Sequence, residues 1–270
     1  PAILVFPDCF TALGGNQYIN SSAIGHYADY LTRELVPFVD REFRSIASRD
    51  GRGCFGKSSG GYGAMVHAMK YPHCWGAVAN HSGDAYFEFL YRSDWPNTLD
   101  ELARFRQPAL EPGAWSPPPA HATLAPGTDD GRVRRFLEHV WQKQRLESRE
   151  SMCLMNLAMA ASYDPDPQAP NGFHVPFDLE TGALLPQRWK RWLAHDPVRM
   201  VARYSANLKT LRGLFIDCGW RDQFHIHYGC RQLASALERH GVDHVYEEFD
   251  GTHSGIDHRL ERSLPFLSRA

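Results

Sequence analysis

The stretch Arg52-Gly-Cys-Phe-Gly-Lys-Ser-Ser-Gly-Gly-Tyr-Gly-Ala-Met65 decides how the rest of the chain is read. A short apolar run ends in Gly56-Lys57-Ser58-Ser59-Gly60, and a helical pattern begins at once. G-x-S-x-G between a strand and a helix is the setting of a nucleophile elbow, a strained turn that projects the serine hydroxyl. Gly60, Gly61, Gly63 and Ala64 would let the helix pack closely on the strand. The helix N-terminus beneath the serine would favour developing negative charge. Two rival readings remain. The residues up to Gly56-Lys57-Ser58 also fit a phosphate cradle, G-x-x-x-x-G-K-[ST], but only if Cys54 and Phe55 form loop rather than strand. The third reading is a glycine-rich bend without chemistry.

Outward from this turn, short apolar runs alternate with helical patterns. Ile3–Phe6 is expected as a buried strand and Thr11–Ser22 as a loop. Tyr27–Phe43 is expected as a helix kinked at Pro37. A strand is expected at Gly53–Phe55, a helix at 61–70 and a strand at Ala77–Ala79. From about Asp84 to Tyr204 the rhythm breaks, with prolines at 117–119 and at 165, 167 and 170, a polar helix near 132–147, and several tryptophans. It resumes with a strand at Leu214–Ile216, a helix at Tyr228–His240 closed by Gly241, a strand at Val245–Phe249 and a helix at Ile256–Leu267. Such alternation implies an α/β fold, a mostly parallel sheet with helices on both faces. Residues 1–83 and 205–270 then make the core. Residues 84–204 make a helical and irregular cap insertion, a separate linker-bounded domain being the alternative.

An elbow serine needs an acid and a histidine further along the chain, in that order. Leu214–Asp222 offers Asp217 at the strand end and Asp222 beyond the turn; Asp222 is preferred because it is free to point at a histidine. The base is assigned to His253, in the loop Asp250-Gly-Thr-His-Ser-Gly255. His225 and His227 form an HxH pair read as solvated or partner-bonded rather than metal-binding. Trp189, Trp192, Met152, Met155 and Met159 are read as core before pocket. The segments around Gly15, Asn16 and Tyr18, and around His81 and Asp84, follow strand ends and are expected at the pocket, although Asp84 and Glu88 also read as solvated cap residues.

The segments VFPDCF, HYADYLTRELVPFVDREF, GKSSGGYGAM, FIDCGWRDQF and EEFDGTHS resemble the putative-esterase family of α/β-hydrolases. That family includes S-formylglutathione hydrolases, enterochelin esterases, feruloyl esterases and mycolyltransferases. The resemblance implies an α/β-hydrolase fold, with Ser58 as nucleophile, Asp222 as acid, His253 as base and the Ser59 amide in the oxyanion hole. Ser59 stands where the family commonly has methionine. The family also carries an earlier strand ending in His-Gly, which donates the second oxyanion amide and has no counterpart here. N-terminal strands are therefore expected to be missing: cut away, disordered, or part of a longer precursor. The alternative is that the loop Asp8-Cys9-Phe10 donates instead. Losing one donor slows acyl transfer about 10²–10³-fold.

The net charge of -2 gives no global field for nucleic acid or an anionic membrane. No apolar run approaches the roughly 20 residues of a membrane span. The six cysteines, free of CxxC pairs, suggest a reducing, cytoplasmic setting. The expectation is a serine esterase acting on a small-molecule ester or thioester without cofactor or metal. Acyl transfer to a sugar or alcohol, and a catalytically silent binding protein, are the alternatives.

Overall fold

The structure, a computed structural model, describes residues 2–106 and 127–270. A two-residue antiparallel pair, β1 (Asn20–Ser21) and β2 (Gly25–His26), precedes the main sheet. That sheet holds β3 (Gly53–Lys57), β4 (Ala77–His81), β5 (Gly213–Gly219) and β6 (Val245–Phe249), side by side in chain order and all parallel. Its register aligns Lys57 with His81, His81 with Asp217 and Asp217 with Glu247. The loops leaving the strands therefore start along one edge, where open α/β sheets bind ligands.

Ile3–Phe6 forms no strand, and its side chains stand between 40% and 76% exposed. A run of apolar residues signals burial, but a strand exists only where a neighbour takes its N–H and C=O groups. Phe6 reaches the sheet only by its ring, edge-on to Phe55 at 6.5 Å. The expected helix at 27–43 forms in three pieces: α1 (Tyr27–Asp29), a π-helical stretch Tyr30–Leu35, and α2 (Val36–Glu42). Pro37 explains the widening. It has no N–H for the Arg33 carbonyl and its ring crowds that turn, and the Val36 N–H reaches back five residues to Leu31.

α3 (Ser59–Lys70) connects β3 to β4 and packs on both; α10 (Ile226–Arg239) connects β5 to β6. α9 (Pro197–Leu208) lies against α3 and α10, so the three cover one face. α11 (Leu260–Arg269) covers the other, with Phe266 5.6 Å from Phe215. The expected limit of the insertion at 204 thus falls inside a helix of the core layer.

The remaining insertion carries α4 (Phe87–Leu90), α5 (Trp95–Ala103), α6 (Arg132–Trp141), α7 (Ser148–Tyr163) and α8 (Pro186–Leu193). The proline cluster at 117–119 lies outside the described residues. α7 starts at a capping box in which Glu147 and Glu150 each satisfy the other's backbone N–H. Trp95, Trp189 and Trp192 interlock with Phe177, Tyr91 and Tyr163; the Trp95–Trp189 and Trp95–Phe177 centroids are 5.1 and 5.2 Å apart. Tyr62 of α3 joins this cluster through Tyr163 and Phe87, at 5.9 and 6.2 Å. One apolar core therefore runs from the sheet's helix layer into the insertion. Each large side chain so buried contributes about 1.5–3 kcal/mol.

The β3–α3 turn tolerates no side chain at Gly56, where a Cβ would lie 2.4 Å from the Gly60 carbonyl carbon and oxygen. Gly56→Ala is expected to lower stability by about 3 kcal/mol or more, since backbone rather than a flexible side chain must move; urea unfolding measures it.

Candidate active site

Ser58 sits between β3 and α3 with φ 57° and ψ -125°, a conformation that costs a non-glycine residue on the order of 1–3 kcal/mol. Two hydrogen bonds hold it there. The Ser58 N–H donates to the His81 carbonyl at the end of β4, and the Ser58 carbonyl accepts from Tyr62 N–H, both at 2.9 Å. Gly53–Lys57 is strand throughout, so the loop that a phosphate cradle requires does not exist. Ser59 is the first residue of α3, where helical N–H groups lack an intrahelical acceptor and the dipole favours anions.

Asp222 and His253 come together from the loops after β5 and β6. His253 Nδ1 meets Asp222 Oδ2 at 2.8 Å, and the Asp222 side chain is wholly buried. Asp222 Oδ1 accepts the Phe224 N–H at 2.9 Å, so both carboxylate oxygens are occupied. An acceptor at Nδ1 places the ring proton there and leaves Nε2 as the proton acceptor. Nε2 bonds no protein group among the described residues, and no hydrogen bond joins it to Ser58. The histidine loop is fixed further by Gln223, whose Oε1 accepts the His253 N–H at 3.0 Å, and by Phe224, edge-on to the imidazole at 5.0 Å. Neither Gln223 nor Phe224 carried a sequence signal, since neither residue type is tied to this chemistry.

Asp217, the other acid candidate, faces the opposite side of the sheet. It accepts from His81 Nδ1 at 2.7 Å and from Arg259 Nε at 2.8 Å. His81 Nε2 meets Ser263 Oγ of α11 at 2.8 Å. His81, expected at the pocket, is thus buried beneath the sheet, because the last residue of β4 points its side chain toward α11. Alternation along a strand decides this: Phe215 and Asp217 turn to α11, and Ile216 and Cys218 to the other face.

Gly15, Asn16 and Tyr18 do line a cavity, of about 740 Å³, between residues 6–18 and α7. Ser59 lies at its wall, with Met155 and Met159 of α7, so two methionines read as core before pocket belong to both. Asp8, Cys9 and Phe10 line it as well; the Phe10 N–H is already given to Asp8 Oδ1 at 3.0 Å. Behind that wall Gln17 Nε2 donates to Ser59 Oγ and Asp84 Oδ2, both at 3.2 Å, and touches Met159 Sδ. Asp84 Oδ2 also accepts the Tyr91 hydroxyl at 2.7 Å, and Tyr91 meets Tyr163 at 3.1 Å. Asp84 is therefore buried rather than solvated, while Glu88 pairs with Arg199 at 2.5 Å. Gln17 was not foreseen: one amide in a glycine-rich loop has no motif.

The HxH histidines stand 6.4 Å apart by ring centroids, with His227 packed on Tyr228 at 4.2 Å. Among the described residues, no group of His, Cys, Asp and Glu could hold a metal ion, and no helix is long and apolar enough to cross a membrane. The six cysteines are unpaired.

Burial raises the Asp84 carboxyl above the ordinary aspartate range; the Tyr91 hydrogen bond, nearby His253 and Gln17 oppose this, and Asp222 adds to it. A raised carboxyl stabilises the fold fully below the unfolded pKa of about 3.8, and that contribution is lost as pH rises through the folded value. Asp84→Asn stays neutral, and the Gln17 Oε1, buried without a partner, can turn to accept from it. The variant is expected to gain stability relative to the parent between pH 4.5 and pH 8 in urea unfolding. An equal difference at both pH values counts against the raised pKa.

Known proteins place this geometry in context. The family model described as Putative esterase matches residues 20–261. Esterase Rv1288 of Mycobacterium tuberculosis is 36% identical over 91 residues, which are 32% of this chain and 19% of that protein. The uncharacterized protein YbbA of Bacillus subtilis is 23% identical over 145 residues, 54% of this chain and 49% of that protein. The chain thus spans between about a fifth and a half of the length of these curated relatives. A solved structure of a ferulic acid esterase superposes with a TM-score of 0.50 at 16% identity, covering 94% of this chain and 64% of that one. The fold is that of the α/β-hydrolases.

Proposed function

The chain belongs to the Putative esterase family, and on that premise we propose that it is a serine hydrolase cleaving carboxylic esters or thioesters through Ser58, His253 and Asp222. The observation that carries the reading is the buried Asp222–His253 pair, 2.8 Å apart, on the same sheet edge as a serine held at positive φ. A serine kept at positive φ, on the sheet edge that also carries an oriented base, has no structural use that a glycine would not serve better.

In the proposed reaction His253 Nε2 takes the Ser58 proton as Oγ attacks the carbonyl carbon. Asp222 keeps the imidazole in the required tautomer and stabilises its cationic form. The Ser59 N–H, at the start of α3, donates to the oxyanion. His253 then returns the proton to the departing alkoxide or thiolate, leaving an acyl group on Ser58. A water molecule, deprotonated by His253, repeats the attack and releases the acid.

Ser58→Ala is expected to abolish p-nitrophenyl acetate hydrolysis and labelling by a fluorophosphonate. Asp222→Asn, which presents the imidazole in the wrong tautomer, is expected to lower kcat by about 10³–10⁴. Full activity of Ser58→Ala, or a fluorophosphonate adduct on any other residue, removes Ser58 from its role.

A further inference from the structure

The cavity beside Ser59 has a composition and a position that together identify what it would hold. Its inner wall is α7, which presents Leu154, Met155, Ala158 and Met159 at i, i+1, i+4 and i+5, a single helix face. Leu13 faces them from the 6–18 segment. One polar side chain of the lining is held within the wall: Asn16 donates to the Cys9 carbonyl at 2.6 Å and accepts the Tyr18 N–H. Among the described residues, no lysine, arginine or histidine lines the space. A carboxylate or phosphate carried into it would meet the Asp8 carboxylate and, among the described residues, find the hydroxyls of Tyr18, Ser59 and Ser151 but no cationic side chain to offset its lost hydration.

Tyr18 makes the wall rigid. It has φ 57°, its carbonyl meets His67 Nε2 at 2.8 Å, and its ring lies where a Cβ on Gly63 would come within 2.6 Å of Cδ2. A non-glycine residue at positive φ persists only where its surroundings over-determine it. Here it braces the cavity against the helix that carries Ser59.

Position then separates the two halves of an ester. The cavity touches Ser59, the neighbour of Ser58, whereas Ser58 itself and residues 220–225 and 250–255, which carry Asp222 and His253, do not line it. The leaving oxygen must face His253 to be protonated, so the group on the far side of the carbonyl is the acyl group. Resting on the esterase reading above, we propose that this cavity is the acyl site and selects esters of uncharged, apolar acids of medium chain length.

The test is a p-nitrophenyl ester series with the whole protein. From acetate to octanoate kcat/KM is expected to rise at least tenfold, each fully buried methylene contributing up to about fourfold. The anionic hemisuccinate ester is expected to fall below acetate. Met155 is half-buried on the cavity wall, and Met155→Trp is expected to lower the octanoate-to-acetate ratio at least tenfold. A flat series, or an unchanged ratio in Met155→Trp, overturns the acyl site while leaving the esterase reading intact. A second measurement needs no turnover: octanamide is expected to raise the Tm of Ser58→Ala by about 2 °C, and acetamide to leave it unchanged. If no ester is hydrolysed yet octanamide alone stabilises, the esterase reading falls and the apolar site stands. Equal effects of the two amides overturn the site.

Discussion

The Ser58 N–H bond to the His81 carbonyl, 2.9 Å long, forces the chain to turn from β3 into α3 within one residue. Everything that concerns chemistry depends on that turn. It holds a serine at positive φ, starts a helix directly behind the hydroxyl, and brings the backbone of Gly60 so near Gly56 that no side chain fits. The energy stored is small, about 1–3 kcal/mol, and the core of α3 supplies the opposing force. Tyr62, Met65, Val66 and Met69 are fully buried on that helix, so the turn cannot relax without exposing them.

The two faces of the sheet carry two separate polar systems that resemble each other on paper. On one, His81, Asp217, Arg259 and Glu247 tie α11 to the strands, with the Arg259–Glu247 contact at 2.6 Å. On the other, Asp222 and His253 form a pair whose remaining imidazole nitrogen has no protein partner among the described residues. Both contain a buried aspartate against a histidine. The difference lies in the far side of the ring: His81 is closed by Ser263, and His253 is open. A closed pair serves packing, and an open one can move a proton.

The insertion is packed into the core and also walls the cavity. Its tryptophan cluster joins the core through Tyr62 and Tyr163, which fixes α7 relative to α3. α7 in turn supplies one wall of the cavity and, through Met159, the backing of Gln17 and Asp84. The polar cluster of Gln17, Asp84 and Tyr91 holds the Ser59 side chain from behind, so Ser59 is positioned from both the N-terminal segment and the insertion.

What the sequence determined by itself is local. The spacing G-x-S-x-G, the alternation of short apolar runs with helical stretches and the glycine at 241 with φ 62° all depend on neighbouring residues, and β6 was legible to the residue. The sequence also separates Asp217 from Asp222, a strand residue from one beyond a turn, and the structure sets the two against different histidines, His81 and His253. Only the tertiary structure decided matters that depend on a distant partner. Ile3–Phe6 finds no strand to pair with, His81 turns away from the pocket by the parity of β4, and α9 joins the core layer rather than the insertion. Gln17, Asp84 and Met159 come together from 67 and 142 residues away. No sequence window contains such a contact, since it follows from how layers of helix and sheet stack once the core has closed.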